Sequence, residues 1–203
     1  MSLVLAGAIG FLGPCLSTTH VLALNPVMTL SMVFSGKVGM FQAPLAMIGQ
    51  LLGSLVGIVV GRAVTPNEVV EAGSLCSLVR DGMPAGKALA LQLVLSSVLF
   101  FSLANLFGDR RLSVTRWHQA YGVATLAVTL SGAAWIGLPA NPLLPLAAAV
   151  YEGCWANQWV HWVGALLGSL VAAVLQRGFM ATNKSQGSFT PSMISRRTSL
   201  SLE

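Results

Sequence analysis

The chain alternates long apolar stretches with short polar connections, and these stretches determine the architecture. Five are long enough to cross a bilayer as helices, which takes about 20 residues each. They lie at 2–22, 40–61, 88–107, 117–137 and 158–176. Two more, at 25–34 and 141–151, are too short to cross, and a membrane tolerates such pieces only where they are buried in protein or line a cavity. The pattern predicts an all-α membrane protein with five full transmembrane helices and two re-entrant half-helices.

A duplication organises these elements. Residues 51–62 read LLGSLVGIVVGR and residues 166–177 read LLGSLVAAVLQR, and each copy follows an Asn-Pro pair by about 25 residues. A matched pair of this kind indicates two copies of one unit. We divide the chain into a first repeat (1–62), an extramembrane loop (63–86), a second repeat (87–177) and a disordered cytoplasmic tail (178–203).

The two repeats differ at their start. The second has two full spans before its Asn-Pro pair and the first has one, so we expect that a first helix is missing from the first repeat. Three spans per complete repeat would make the repeats inverted, with a solute path where they meet.

Composition excludes a soluble domain, because only 8% of the residues are charged and 55% are hydrophobic, whereas soluble domains carry about a quarter charged residues. If the segment after the first span faces the cytoplasm, eight of the 11 Lys and Arg residues fall on that side, as the positive-inside rule requires. We therefore attribute the net charge of +5 to the orientation of the chain in the membrane and not to nucleic-acid binding. We expect a multi-pass protein of an intracellular or plasma membrane.

The Asn-Pro pairs carry the candidate chemistry. Asn is a favoured helix N-cap and Pro suits the first helical position, so Asn25-Pro26 and Asn141-Pro142 each open a half-helix. The Asn amide nitrogen would then be free to donate to a passing oxygen, beside the partial positive charge of the helix N-terminus. A lone Asn-Pro is most often a turn, but two at matched positions of a repeat favour a pore site.

Residues 3–62 and 88–177 resemble the aquaporin (major intrinsic protein) superfamily. The resemblance rests on NPVMTL at 25–30, ANPL at 140–143 and WVHWVGALLG at 159–168. It implies an inverted-repeat channel in which Asn25 and Asn141 contact the permeant molecules. It also implies a homotetramer, no cofactor, and a first family helix that is absent here.

The motifs depart from the family pattern. The family repeats Asn-Pro-Ala, but Val27 and Leu143 occupy the third positions, and Leu144 stands where an Arg usually follows the second motif. These changes resemble the unorthodox superaquaporin branch. Family offsets place the selectivity filter at Leu5, Thr129, Leu138 and Leu144.

Three further sets of residues have predicted roles. Gln92 stands where the family has a buried Glu, which implies that it supports the pore by bonding loop carbonyls. Glycines at four-residue spacing let membrane helices approach closely, so we expect packing between the two repeats at Gly49, Gly53, Gly57, Gly164 and Gly168. The three cysteines show no metal spacing and are interpreted as free thiols.

These features favour a passive channel for water and small uncharged solutes such as glycerol or hydrogen peroxide. The alternative is a non-conducting or structural aquaporin-like protein of an intracellular membrane, favoured by the missing helix and the apolar filter. An ion-coupled transporter is disfavoured because the spans contain almost no Asp, Glu or Lys, which coupling ions require. The chain contains no catalytic motif, so we do not expect an enzyme.

Overall fold

The computed structural model describes residues 24–34, 36, 38–68, 79–108 and 113–187. The predicted span at 2–22 lies outside these residues. Within them the chain forms six α-helices: α1 (Pro26–Phe34), α2 (Gln42–Val64), α3 (Ala85–Gly108), α4 (Val114–Ile136), α5 (Leu143–Glu152) and α6 (Gln158–Gly187).

Four of the predicted spans correspond to long helices. By length and hydropathy, α2, α3 and α6 can each cross a membrane. Helix α4 has the length, 23 residues, but polar side chains on its buried face make it less apolar. Helix α6 continues well past the predicted end at residue 176. These helices make the chain an integral membrane protein.

The two half-helices are present at the predicted places. Helix α1 has nine residues and begins at Pro26, while α5 has ten residues and begins at Leu143. Helix α5 therefore starts later than predicted, because Pro142 and not Asn141 occupies its N-cap position. It ends at Gly153, whose φ of 76° is the left-handed conformation that glycine adopts freely.

Glycines of the second repeat bring α3 and α6 into close contact. A Cβ atom on Gly168 would lie 2.8 Å from the Leu93 carbonyl oxygen and 2.9 Å from the Ser97 nitrogen. A Cβ on Gly164 would overlap the side chain of Gln92. This contact lies within the second repeat, so the prediction that these glycines pack between the repeats was wrong.

The glycines of the first repeat have a different environment. A Cβ atom on Gly49, Gly53 or Gly57 would meet nothing within 4 Å among the described residues. These glycines therefore make no close helix contact with that part of the chain. The repeats do touch along α2, but through Ile58, which is buried against Ala147 of α5. In this contact a branched side chain of α2 packs on small residues of α5.

A larger core holds α1 against the second repeat. Val27 and Met28 of α1 join one buried cluster with Leu99 of α3, Tyr121 of α4 and Ala165 of α6. This cluster fixes the start of α1 beside the turn that precedes α5. Cys154, just after α5, forms a disulfide whose partner lies outside the described residues, so the interpretation of all three cysteines as free thiols was wrong.

Candidate functional site

The two Asn-Pro turns meet and bind each other reciprocally. Asn25 Nδ2 donates to the carbonyl oxygen of Ala140 at 2.6 Å, and Asn141 Nδ2 donates to the carbonyl oxygen of Leu24 at 2.9 Å. Each asparagine thus bonds the residue that precedes the other one. We call these two bonds the amide clamp. It joins residues more than 110 positions apart and brings the N-termini of the two half-helices together.

Each asparagine also orders its own half-helix. The side-chain oxygen of Asn25 accepts from the Val27 nitrogen at 3.0 Å, and that of Asn141 accepts from the Leu143 nitrogen at 3.2 Å. A neutral amide has one acceptor oxygen and two N–H donors. The oxygen and one N–H of each are therefore used internally. Each amide nitrogen is less free than the sequence suggested, because one of its two N–H groups is bonded to the other turn.

A narrow cavity lies at the clamp. It has a volume of about 10 Å³, close to the space that one water molecule needs. Its described lining has no charged side chain and consists of Leu24, Asn25, Leu99, Tyr121, Thr125, Thr129, Leu138, Pro139 and Asn141. Both asparagines therefore face a space that suits a single small polar molecule.

The family model for Major intrinsic protein matches residues 2–176, which is most of the chain. The chain belongs to the major intrinsic protein family. Mouse aquaporin-4 is 30% identical over 153 residues, covering 75% of this chain and 47% of that protein. Aquaporin TIP4-4 of Zea mays is 29% identical over 160 residues, covering 78% of this chain and 62% of that protein.

A solved structure shares the fold. The crystal structure of the aquaglyceroporin from Plasmodium falciparum superposes with a TM-score of 0.63 at 15% identity, covering 77% of this chain and 70% of that one. This supports the aquaporin-like fold that the resemblance implied. The chain spans about half the length of the aquaporin-4 relatives that it matches.

The structure brings two of the four candidate filter residues to the cavity. Thr129 of α4 and Leu138 of the turn after α4 both line it. Leu144 lies in the first turn of α5 and is not among the described lining residues. Leu5 lies outside the described residues. The filter assignment, which came from the family pattern, therefore stays a prediction.

Two polar lining residues were missed from the sequence. Tyr121, Thr125 and Thr129 follow one another at four-residue spacing, which places them on one face of α4. Thr129 donates its hydroxyl to the Thr125 carbonyl at 2.7 Å, whereas the Thr125 hydroxyl has no partner among the described residues. The regular polar spacing within an apolar span could have identified this face.

Gln92 has a bonding partner that differs from the predicted one. It is fully buried between α3 and α6, and its Nε2 lies 3.5 Å from the His161 carbonyl oxygen. Its partner is thus a carbonyl at the start of a neighbouring helix and not one in a loop. Close packing on Gly164 places it there.

The turn before Asn141 is anchored from outside the cavity. The backbone nitrogen of Arg80 donates to the Trp135 carbonyl at 2.8 Å, and the Arg80 guanidinium lies 4.8 Å from the centre of the Trp135 ring. Two residues of the turn, Gly137 and Ala140, have positive φ angles. For Ala140, with a φ of 64°, this conformation costs about 1 kcal/mol, and it directs the carbonyl that Asn25 binds.

Proposed function

We propose that the chain forms a passive membrane channel for water and small uncharged solutes, and not an enzyme, with its narrowest polar point at the amide clamp. The clamp is the observation that supports this proposal, because it holds two half-helix N-termini against one cavity. Asn25 and Asn141 each present their remaining N–H to that cavity as donors for a permeant oxygen.

The cavity has polar and apolar groups in its lining. A molecule that leaves the asparagines reaches the hydroxyl of Thr125, since the three groups line the same space. The apolar side chains of Leu24, Leu99 and Leu138 in the same lining offer no further hydrogen bonds. We infer that water passes this point one molecule at a time, whereas an ion would lose its hydration without replacement.

Exclusion of cations and protons follows from the half-helices in this proposal. Both α1 and α5 direct their N-termini toward the clamp, and each N-terminus carries a partial positive charge. The family position for a filter Arg is Leu144, so fixed positive charge comes from backbone dipoles. We propose that Leu5, Thr129, Leu138 and Leu144 form a more apolar constriction, which favours glycerol or hydrogen peroxide beside water. We also propose that the chain is a member of the superaquaporin branch and that it forms a homotetramer. Chemical cross-linking in membranes would test the oligomeric state.

Stopped-flow light scattering on proteoliposomes tests the channel. Vesicles that contain the chain should shrink faster than empty vesicles under a water gradient, and a glycerol gradient then reports how permissive the filter is. Shrinkage equal to that of empty vesicles would contradict the channel and support the non-conducting alternative.

A further inference from the structure

A second and larger cavity lies apart from the candidate pore. It is a cleft of about 730 Å³ between α1, α3 and α6, within the range of pockets that bind small ligands. Its walls are mainly apolar and include Val27, Leu30, Phe34, Phe100, Leu170 and Ala173. The cleft is partly open at its side, and Phe34 is 89% exposed there.

The two repeats differ in side-chain size at this place. The aligned copies place Leu170 and Ala173 of α6 at the positions that Leu55 and Ile58 hold in α2. In the first repeat, Ile58 is 5% exposed and fills the contact with α5. In the second repeat, Ala173 lacks that bulk, and Leu170 is 62% exposed. The cleft therefore lies where the second repeat carries a smaller side chain than the first repeat does.

The cleft has the length of one membrane leaflet. Its lining on α6 runs from Leu166 to Arg177, a rise of about 17 Å at 1.5 Å per residue. Half of the hydrocarbon core measures about 15 Å. The charge pattern of the chain places Arg177 on the cytoplasmic side, so the cleft runs from mid-membrane to the cytoplasmic head groups.

Polar groups gather at the head-group end of the cleft. Arg177 is the one charged residue in its described lining. Beside it, the side-chain oxygen of Gln176 is buried and has no hydrogen-bond partner among the described residues. A buried acceptor without a partner costs stability. A ligand that supplies an anion and an adjacent donor would satisfy both residues.

We propose that this cleft binds an acyl chain of an anionic phospholipid whose head group carries a hydroxyl, such as phosphatidylglycerol. The acyl chain lies along Leu170 and Ala173, the phosphate pairs with Arg177, and the head-group hydroxyl donates to Gln176. The lipid would fill the space that Ile58 fills in the other repeat and would stabilise the contact between α1 and α6.

Native mass spectrometry of the full chain tests this site, with phosphatidylglycerol and phosphatidylcholine added in equal amounts. Ala173→Ile introduces the residue that the first repeat carries at this position. It should displace about two methylenes of the lipid chain and lower phosphatidylglycerol binding about tenfold. The control is Val174→Ile, at a position that is 68% exposed and outside the described lining, and it should bind like the wild type.

The head-group contact is tested separately. Arg177→Gln should reduce the preference for phosphatidylglycerol over phosphatidylcholine about fivefold, while total lipid binding through the acyl chain persists. The proposal is wrong if the wild type retains neither lipid, as when another helix fills the cleft. Equal retention by Ala173→Ile and Val174→Ile would also overturn it. Neither result depends on whether the chain conducts water.

Discussion

Replacing Asn25 by Leu removes half of the amide clamp with a small change in side-chain size. The wild-type amide donates to the Ala140 carbonyl at 2.6 Å and accepts from the Val27 nitrogen at 3.0 Å. Leu can do neither. Since Asn25 is only 3% exposed, water cannot readily replace the lost bonds.

The expected cost follows from these two bonds. Each buried backbone group left without a partner costs about 1–3 kcal/mol, so Asn25→Leu should lower the free energy of unfolding by about 2–6 kcal/mol. Asn141→Leu should cost a similar amount, because its bonds to Leu24 and Leu143 mirror those of Asn25. The double variant should cost less than the sum, since either change alone already separates the two turns.

The assay is SDS titration of the chain in mixed micelles, followed by circular dichroism. The control is Asn105→Leu, because the Asn105 side chain donates at 2.8 Å to the carbonyl one helical turn earlier, that of Phe101. That carbonyl keeps its backbone partner in α3, so the control should cost about 1 kcal/mol or less. Equal losses in Asn25→Leu and Asn105→Leu, or strict additivity in the double variant, would refute the reasoning.

Three other changes test separate parts of the structure. Thr125→Val removes the hydroxyl in the cavity and should lower water permeability about fivefold without unfolding the chain, while Ser131→Val on the exposed face of α4 should leave permeability unchanged. Gly168→Ala should cost about 1–3 kcal/mol by forcing α3 and α6 apart, whereas Gly53→Ala, with open space around it, should cost far less in the same SDS titration. Thiol titration of the unfolded chain should find one reactive cysteine before reduction and three after it, and three before reduction would contradict the disulfide at Cys154.

Most of the fold was predictable because membrane helices are specified locally. An apolar stretch of about 20 residues crosses a bilayer almost only as a helix. Four of the five predicted spans and both half-helices therefore followed from the hydrophobic pattern, and the span at 2–22 stays a prediction. The boundaries were less predictable. Helix α5 begins at Leu143 because Pro142 occupies its N-cap position, while Asn141 donates to the other repeat. The Asn-Pro pair alone does not distinguish this arrangement from one with Asn141 as the N-cap.

The contacts between elements were harder to predict. The two asparagines were identified from the repeat, but their bonds to Ala140 and Leu24 depend on the tertiary arrangement of segments far apart in sequence. The glycine spacing correctly indicated a close helix contact at Gly168, but it did not identify which helix makes that contact. The polar face at Tyr121 and Thr125 could be predicted from its four-residue spacing, but neither residue belongs to the family positions that the resemblance supplied.

The central claim is that the clamped half-helices conduct water, and the temperature dependence of osmotic shrinkage tests it most directly. A channel lets water pass without dissolving in lipid, so vesicles containing the chain should shrink faster than empty vesicles and with a clearly lower activation energy. If the activation energy equals that of empty vesicles at every protein density, water is crossing the lipid, and the cavity at Asn25 and Asn141 is not a conducting pore.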